Sequence, residues 1–166
     1  MICNHKSNND PFIIAASTKR TLNFMAKDDL FKNFINRITF RMLNTYPVDR
    51  DGDPRDVLNQ FVNFLKEGKP TVMFPEGTRN KVDDSLGEFK KGAALVAIRA
   101  QVPVVPSAIL GSNKKEGKIY LIFGEPVMPP EENNKQNIVA FNALLQARVE
   151  ELLGKLKEKI EMDINR

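Results

Sequence analysis

The chain contains a single histidine, His5, and a carboxylate, Asp10, follows it by five residues. A carboxylate bonded to one imidazole nitrogen fixes the tautomer and stabilises the protonated ring, which leaves the other nitrogen free to take a proton. In a continuous helix that spacing sets the two side chains about 140° apart, so they meet only if the loop over residues 4–10 folds back on itself. Asp10-Pro11 reads as a helix cap followed by proline at the first helical position, and such a start is compatible with that fold-back. The same residues also read as a solvated polar loop ending in a capping aspartate, and the sequence leaves both readings open. Ser7 is a poor candidate nucleophile: no second histidine exists to serve it, and no Gly-x-Ser-x-Gly turn surrounds it.

A second group is Phe74-Pro75-Glu76-Gly77-Thr78-Arg79. It follows an apolar run at 71–74, where α/β proteins place ligand sites. Gly77 permits close backbone approach, and Arg79 offers a phosphate two donors at once. Glu76 could position Arg79 or a substrate hydroxyl. The Gly-Lys-Ser/Thr ending of a phosphate-binding P-loop is absent. A surface turn held by an ion pair is the competing reading. Arg50, at the end of Pro47-Val48-Asp49-Arg50, and Lys27, after Met25-Ala26, also sit at strand ends. Taken singly, each reads as a surface ion pair. Lys90-Lys91 reads as a solvated helix start.

The elements that must position these residues alternate between short apolar runs and helical patterns, as in an α/β fold. Strands are expected at 21–26, 45–48, 71–74, 102–110 and 119–123. Met1-Ile2-Cys3 reads as the end of a strand whose beginning lies upstream. Helices are expected at 12–17, at 30–43 with Asp28 or Asp29 as cap, after Asp53-Pro54 up to Gly68, at 92–100, and at 136–160 with a break near Gly154. Leu30, Phe31, Phe34, Ile35, Ile38 and Met42 recur at helical spacing and are expected mostly in the core, with peripheral membrane contact as the alternative.

A chain of 166 residues with 42% hydrophobic and 28% charged residues has the size and balance of one globular domain. One cysteine excludes an intramolecular disulfide and a Cys-rich zinc site, and one histidine excludes a multi-His metal site. The net charge of +4 favours anionic partners. Nucleic acid is the weakest of these, since no basic stripe interleaved with aromatics is present. No run reaches the ~18 apolar residues that span a bilayer.

Taken together, the blocks resemble the glycerolipid acyltransferase family, and within it the 1-acyl-glycerol-3-phosphate (lysophosphatidic acid) acyltransferases. Asn4-His5-x-Ser7-x-x-Asp10, Pro47-Val48-Asp49-Arg50, Phe74-Pro75-Glu76-Gly77-Thr78-Arg79 and Val102-Pro103-Val104-Val105-Pro106 match its four blocks in order. Phe89-Lys90-Lys91-Gly92-Ala93 and Phe123-Gly124-Glu125-Pro126 also look familial.

The resemblance implies an α/β fold with a mixed, largely parallel sheet and helices on both faces, glycerol-3-phosphate acyltransferase-like. It implies one acyltransferase domain over 1–166, lacking the N-terminal membrane-anchoring segment usual in the family. The implied reaction moves a fatty acyl group from a thioester of coenzyme A or acyl carrier protein to lysophosphatidic acid, making phosphatidic acid without a bound cofactor or metal. The implied location is the cytoplasmic face of the membrane, peripherally bound. Carried onto this chain, His5 is the general base and Asp10 its orienter. Glu76, Gly77, Thr78 and Arg79 hold the acceptor, with Arg79 on its phosphate, Arg50 supports phosphate binding, and Lys27 serves the phosphate or the developing oxyanion, for which the chemistry also offers the Gly77 amide as a donor. Val104, Val105 and Pro106 shape the acyl side. The alternatives are an acyltransferase for glycerol-3-phosphate or another lysolipid, and a non-catalytic membrane-binding fragment.

Overall fold

The computed structural model describes residues 1–49, 52–80, 83–113 and 117–164. Strand β1 (Ile2–Cys3) runs parallel to β4 (Pro106–Leu110), with Ile2 opposite Pro106. β4 pairs antiparallel with β5 (Tyr120–Phe123). β2 (Phe24–Lys27) and β3 (Thr45–Val48) form a second, parallel pair. Residues 71–73 join the two pairs, through parallel bridges from Thr71 to Asn23 and from Met73 to Ile2. Met73 N–H donates to Met1 O at 3.0 Å, Cys3 N–H to Met73 O at 3.1 Å, and Val72 N–H to Asn23 O at 2.9 Å. The order across is therefore β3, β2, residues 71–73, β1, β4, β5, parallel except for β5. This is the mixed, largely parallel sheet expected.

Alternation along these strands buries both faces. Ile2, Ala108 and Leu110 pack with α4 (Gly92–Ala100) and α5 (Lys135–Ile164), while Cys3, Val72 and Ile109 pack with Ile14 of α1 (Asp10–Ala16). A sheet covered on both sides needs near-continuous apolar strands, and the sequence supplies them. The fourth block belongs to this core rather than to the site. Val104 is buried, Val105 O accepts from Ile2 N–H at 3.0 Å, and Pro106 opens β4. The strand begins only at Pro106, because Pro103 and Pro106 lack the N–H that a longer ladder requires.

Three helix boundaries depart from expectation. α5 runs unbroken past Gly154. Burial of Phe141, Leu145, Val149, Leu152, Leu153 and Leu156 outweighs the ~1 kcal/mol that one glycine costs a helix. Asn9, not Asp10, holds the N-cap position of α1, without a side-chain capping bond, because the Asp10 carboxylate turns back into the preceding loop. Residues Asp28–Phe31 form a 3-10 turn, and Asn33 caps α2 (Phe34–Met42) by accepting from Ile35 N–H and Asn36 N–H. Asp29 is instead paired with Lys27 and Lys32. α3 (Pro54–Lys66) follows the expected pattern: Asp53 accepts from Arg55 N–H, and Gly68 ends the helix at φ +72°. The largest correction concerns α2, none of whose residues is buried.

Candidate active site

Parallel strands release their following loops at one edge of the sheet, and here the sequence blocks meet for that reason. The loop with His5 follows β1, the Glu76–Arg79 turn follows residues 71–73, Lys27 ends β2, and Asp49 follows β3. Arg50 lies outside the described residues.

The loop over residues 4–10 does fold back. His5 Nδ1 lies 2.8 Å from Asp10 Oδ2, and that same oxygen accepts from Lys6 N–H at 2.7 Å and Ser7 N–H at 2.8 Å. An oxygen already accepting two amides is an acceptor for the ring as well, so in the neutral imidazole Nδ1 carries the hydrogen and Nε2 the lone pair. The imidazole stacks on Phe74, ring centroids 4.1 Å apart and 20° from coplanar, and is 18% exposed, whereas Asp10 is fully buried. Burial pushes the Asp10 carboxyl up. The bonds from His5, Ser7 and Lys6, with the Ser112 hydroxyl nearby, outweigh it and hold the group below the ordinary carboxylate range. Asp10 Oδ1 and Ser112 Oγ are both buried without a hydrogen-bond partner.

Glu76 is committed to the scaffold. Oε1 accepts from His5 N–H at 2.7 Å and Oε2 from Gly87 N–H at 2.8 Å, in a nearly buried position. It therefore clamps the His5 loop to the segment after the Glu76–Arg79 turn, and it does not line the cavity described below. Asn80 N–H adds a bond to His5 O at 2.9 Å. Lys6 does similar work from within: its buried Nζ donates to Asp83 O and Ser85 O, both at 2.8 Å. Lys6→Met keeps the aliphatic stem and strands both carbonyls. It is expected to lower stability by about 1.5–3 kcal/mol, read as a reduced urea midpoint at unchanged slope. An unaltered midpoint would show the ammonium to be dispensable.

The edge opens on a cavity of about 800 Å³, within the usual range for small-molecule sites. His5, Asn8, Lys27, Gly77, Arg79 and Lys90 supply polar walls, while Leu43 just after α2 and Val57, Leu58 and Phe61 of α3 supply apolar ones. Arg79 is exposed and donates to Asn8 Oδ1, which joins the first and third blocks. Thr78 is exposed and outside the lining. Gly77 has φ +73°, and its N–H is spent on Phe74 O at 3.0 Å, so that amide is no oxyanion donor. Lys27 pairs with Asp29 at 3.1 Å and lines the cavity.

Lys90 was missed as a wall residue. Its Nζ lies 2.9 Å from where a Cβ on Gly77 would stand, so the bare glycine is what admits the side chain. Its place within the familial Phe89-Lys90-Lys91-Gly92-Ala93 segment was the available signal. Cys3, though close by in sequence, is no nucleophile: burial pushes its thiol up to about 12.

An oriented imidazole facing a cavity with three cations and an apolar wall suits transfer to an anionic, lipid-like acceptor. The family model described as Acyltransferase matches residues 1–110, and the chain belongs to that family. Its relatives carry a more particular name. The 1-acyl-sn-glycerol-3-phosphate acyltransferase of Bacillus subtilis is 32% identical over 145 residues, covering 82% of this chain and 71% of that protein. The chloroplast 1-acyl-sn-glycerol-3-phosphate acyltransferase LPAT1 of Arabidopsis thaliana is 37% identical over 139 residues, covering 76% and 38%. The solved structure of the 1-acyl-sn-glycerophosphate acyltransferase PlsC of Thermotoga maritima matches with a TM-score of 0.70 at 29% identity, over 91% of this chain and 64% of that one. The chain thus spans from 38% to 71% of the length of these three relatives.

Proposed function

We propose that the chain transfers a fatty acyl group from a thioester of coenzyme A or acyl carrier protein to the free hydroxyl of 1-acyl-glycerol-3-phosphate, yielding phosphatidic acid for phospholipid synthesis. The observation that carries this reading is the His5–Asp10 pair at 2.8 Å, its Nε2 left for a cavity that Arg79, Lys27 and Lys90 also line. The relatives' names supply the acceptor.

In this reading His5 Nε2 accepts the hydroxyl proton as the oxygen attacks the thioester carbonyl carbon. A positioned base is worth ~10²–10⁴-fold. Asp10 stabilises the imidazolium so formed. Arg79, with Lys90 beside Gly77, binds the acceptor phosphate and thereby fixes the hydroxyl near the ring. Lys27 offsets charge on the carbonyl oxygen. The C–S bond then breaks, and the thiolate takes the proton back from the imidazolium. A thioester brings its own leaving group, so no acyl-enzyme or bound cofactor is required. In this reading the reaction runs at the cytoplasmic face of the membrane, with the protein peripherally bound. Among the described residues no helix is long and apolar enough to cross a membrane.

The test is acyl transfer by the purified chain, supplied with labelled acyl-coenzyme A or acyl carrier protein thioester, and with lysophosphatidate or glycerol-3-phosphate as acceptor. Labelled phosphatidate is the expected product. Arg79→Ala is expected to raise the acceptor KM about 10- to 100-fold, as loss of a charged hydrogen bond implies. Product from glycerol-3-phosphate alone would replace the acceptor. No product from a folded chain with any donor would overturn the reading.

A further inference from the structure

α2 is built inside out. A surface helix normally turns its apolar stripe toward the core. Here Phe34, Ile35, Ile38 and Met42 are 65%, 71%, 46% and 80% exposed. At 100° per residue these four fall within one arc of about 100°. The opposite side of the same helix, through Asn36, Thr39 and Phe40, lines the cavity. The helix therefore forms a wall between the cavity and an apolar outer face.

The surroundings of that face say what would cover it. Arg37 and Arg41 flank the apolar arc on one side, and Lys32 precedes it. No acidic residue occurs between Leu30 and Val48. The Arg37 guanidinium lies 5.5 Å from the centroid of the Phe34 ring, at the border of the apolar arc. An apolar stripe edged by cations is the pattern of a helix lying in the plane of an anionic interface, with its side chains in the acyl boundary and its cations at the headgroups.

We propose that the outer face of α2 docks the protein on an anionic phospholipid bilayer and sets the cavity wall against the membrane. This rests on the acyltransferase reading only for the reason such docking is useful: a lipid acceptor then reaches the cavity without crossing water. The docking itself stands on the exposed arc and its cationic border.

The test is co-sedimentation of the full chain with vesicles of phosphatidylglycerol and phosphatidylcholine, and with phosphatidylcholine alone. Binding is expected to the anionic vesicles and to weaken with salt. Ile35→Asp with Met42→Asp is expected to weaken it by about tenfold or more. Arg37→Gln and Arg41→Gln are expected to weaken it about fivefold each. Turnover of a short-chain, freely soluble lysophosphatidate is measured alongside. The docking variants should retain it, while His5→Ala should lose it and still bind vesicles. Vesicle binding unchanged in the aspartate variant, or absent in the wild type, overturns the docking proposal whatever the turnover. A dimer in solution that the aspartate variant dissociates also overturns it, by assigning the face to a second copy. Vesicle binding as expected with no turnover in the wild type leaves docking intact and counts against the acyltransferase reading instead.

Discussion

His5→Ala is expected to lower turnover by ~10²–10⁴-fold while leaving a cooperatively folded protein. The ring is partly exposed and contributes one stacking contact with Phe74 and one bond to Asp10, so its removal strips little from either core cluster. The expected stability loss is about 1–2 kcal/mol, the scale of one charge-assisted bond with a modest contact. Chemistry depends on the ring far more heavily. It is the only imidazole in the chain. Glu76, the carboxylate bonded to the His5 backbone, has both oxygens committed to amides. The defect should therefore lie in kcat with little change in acceptor KM, since Arg79, Lys27 and Lys90 remain to hold an anionic acceptor. Added imidazole should recover part of the rate. Retention of near-normal turnover by the folded variant would remove His5 from the mechanism. A raised KM at constant kcat would make it a binding residue.

The alternation of strands and helices was legible from local pattern, whereas the largely parallel sheet and the meeting of the blocks were implied by the family resemblance. Parallel pairing brings the loop after β1, the turn after residues 71–73 and the end of β2 to one edge. What escaped was set by distant partners. Glu76 stands beside Gly-Thr-Arg and so looks like a ligand for substrate. Its oxygens are claimed by backbone amides of residues 71 and 11 positions away, and backbone amides carry no sequence signature. Asp10 was open to two readings, a helix cap or the partner of His5, and the structure gives the second, with three donors from its own loop on Oδ2. α2 exposes the limit of periodicity: the spacing identifies an apolar arc but not which way the arc turns. Lys90 became a cavity residue only through the glycine beneath it. The fourth block looked like part of the site because it travels with the others, whereas its packing makes it the strand partner of β1.

Asp10 carries the second large effect, and it separates orientation of the imidazole from burial of the charge. Asp10→Ala removes the acceptor from His5 and from two backbone amides at once. It is expected to cost about 3–5 kcal/mol and to lose activity with the fold. Asp10→Asn is the sharper probe, because its carbonyl can still accept from the amides. It lacks the charge that favours the imidazolium and does not enforce hydrogen on Nδ1, so turnover is expected to fall by ~10²–10⁴-fold in a protein that still folds. Acid unfolding gives an independent readout. The folded carboxyl sits below the ordinary range, so on acidification the unfolded chain takes up this proton first. Its contribution is then fully present above the unfolded value near ~4 and is lost as pH falls through the lower folded value. Denaturation midpoints of the wild type should drop below about pH 4, and Asp10→Asn should drop less steeply over that window. Asp29, Asp83 and Glu151 are also held low, by Lys32 and Lys27, by Ser85, and by Lys155, and they add the same acid slope to both proteins. The difference between the two curves therefore belongs to Asp10. Parallel curves would mean that its charge contributes nothing to the fold. Wild-type turnover in Asp10→Asn would mean that the imidazole needs no carboxylate behind it.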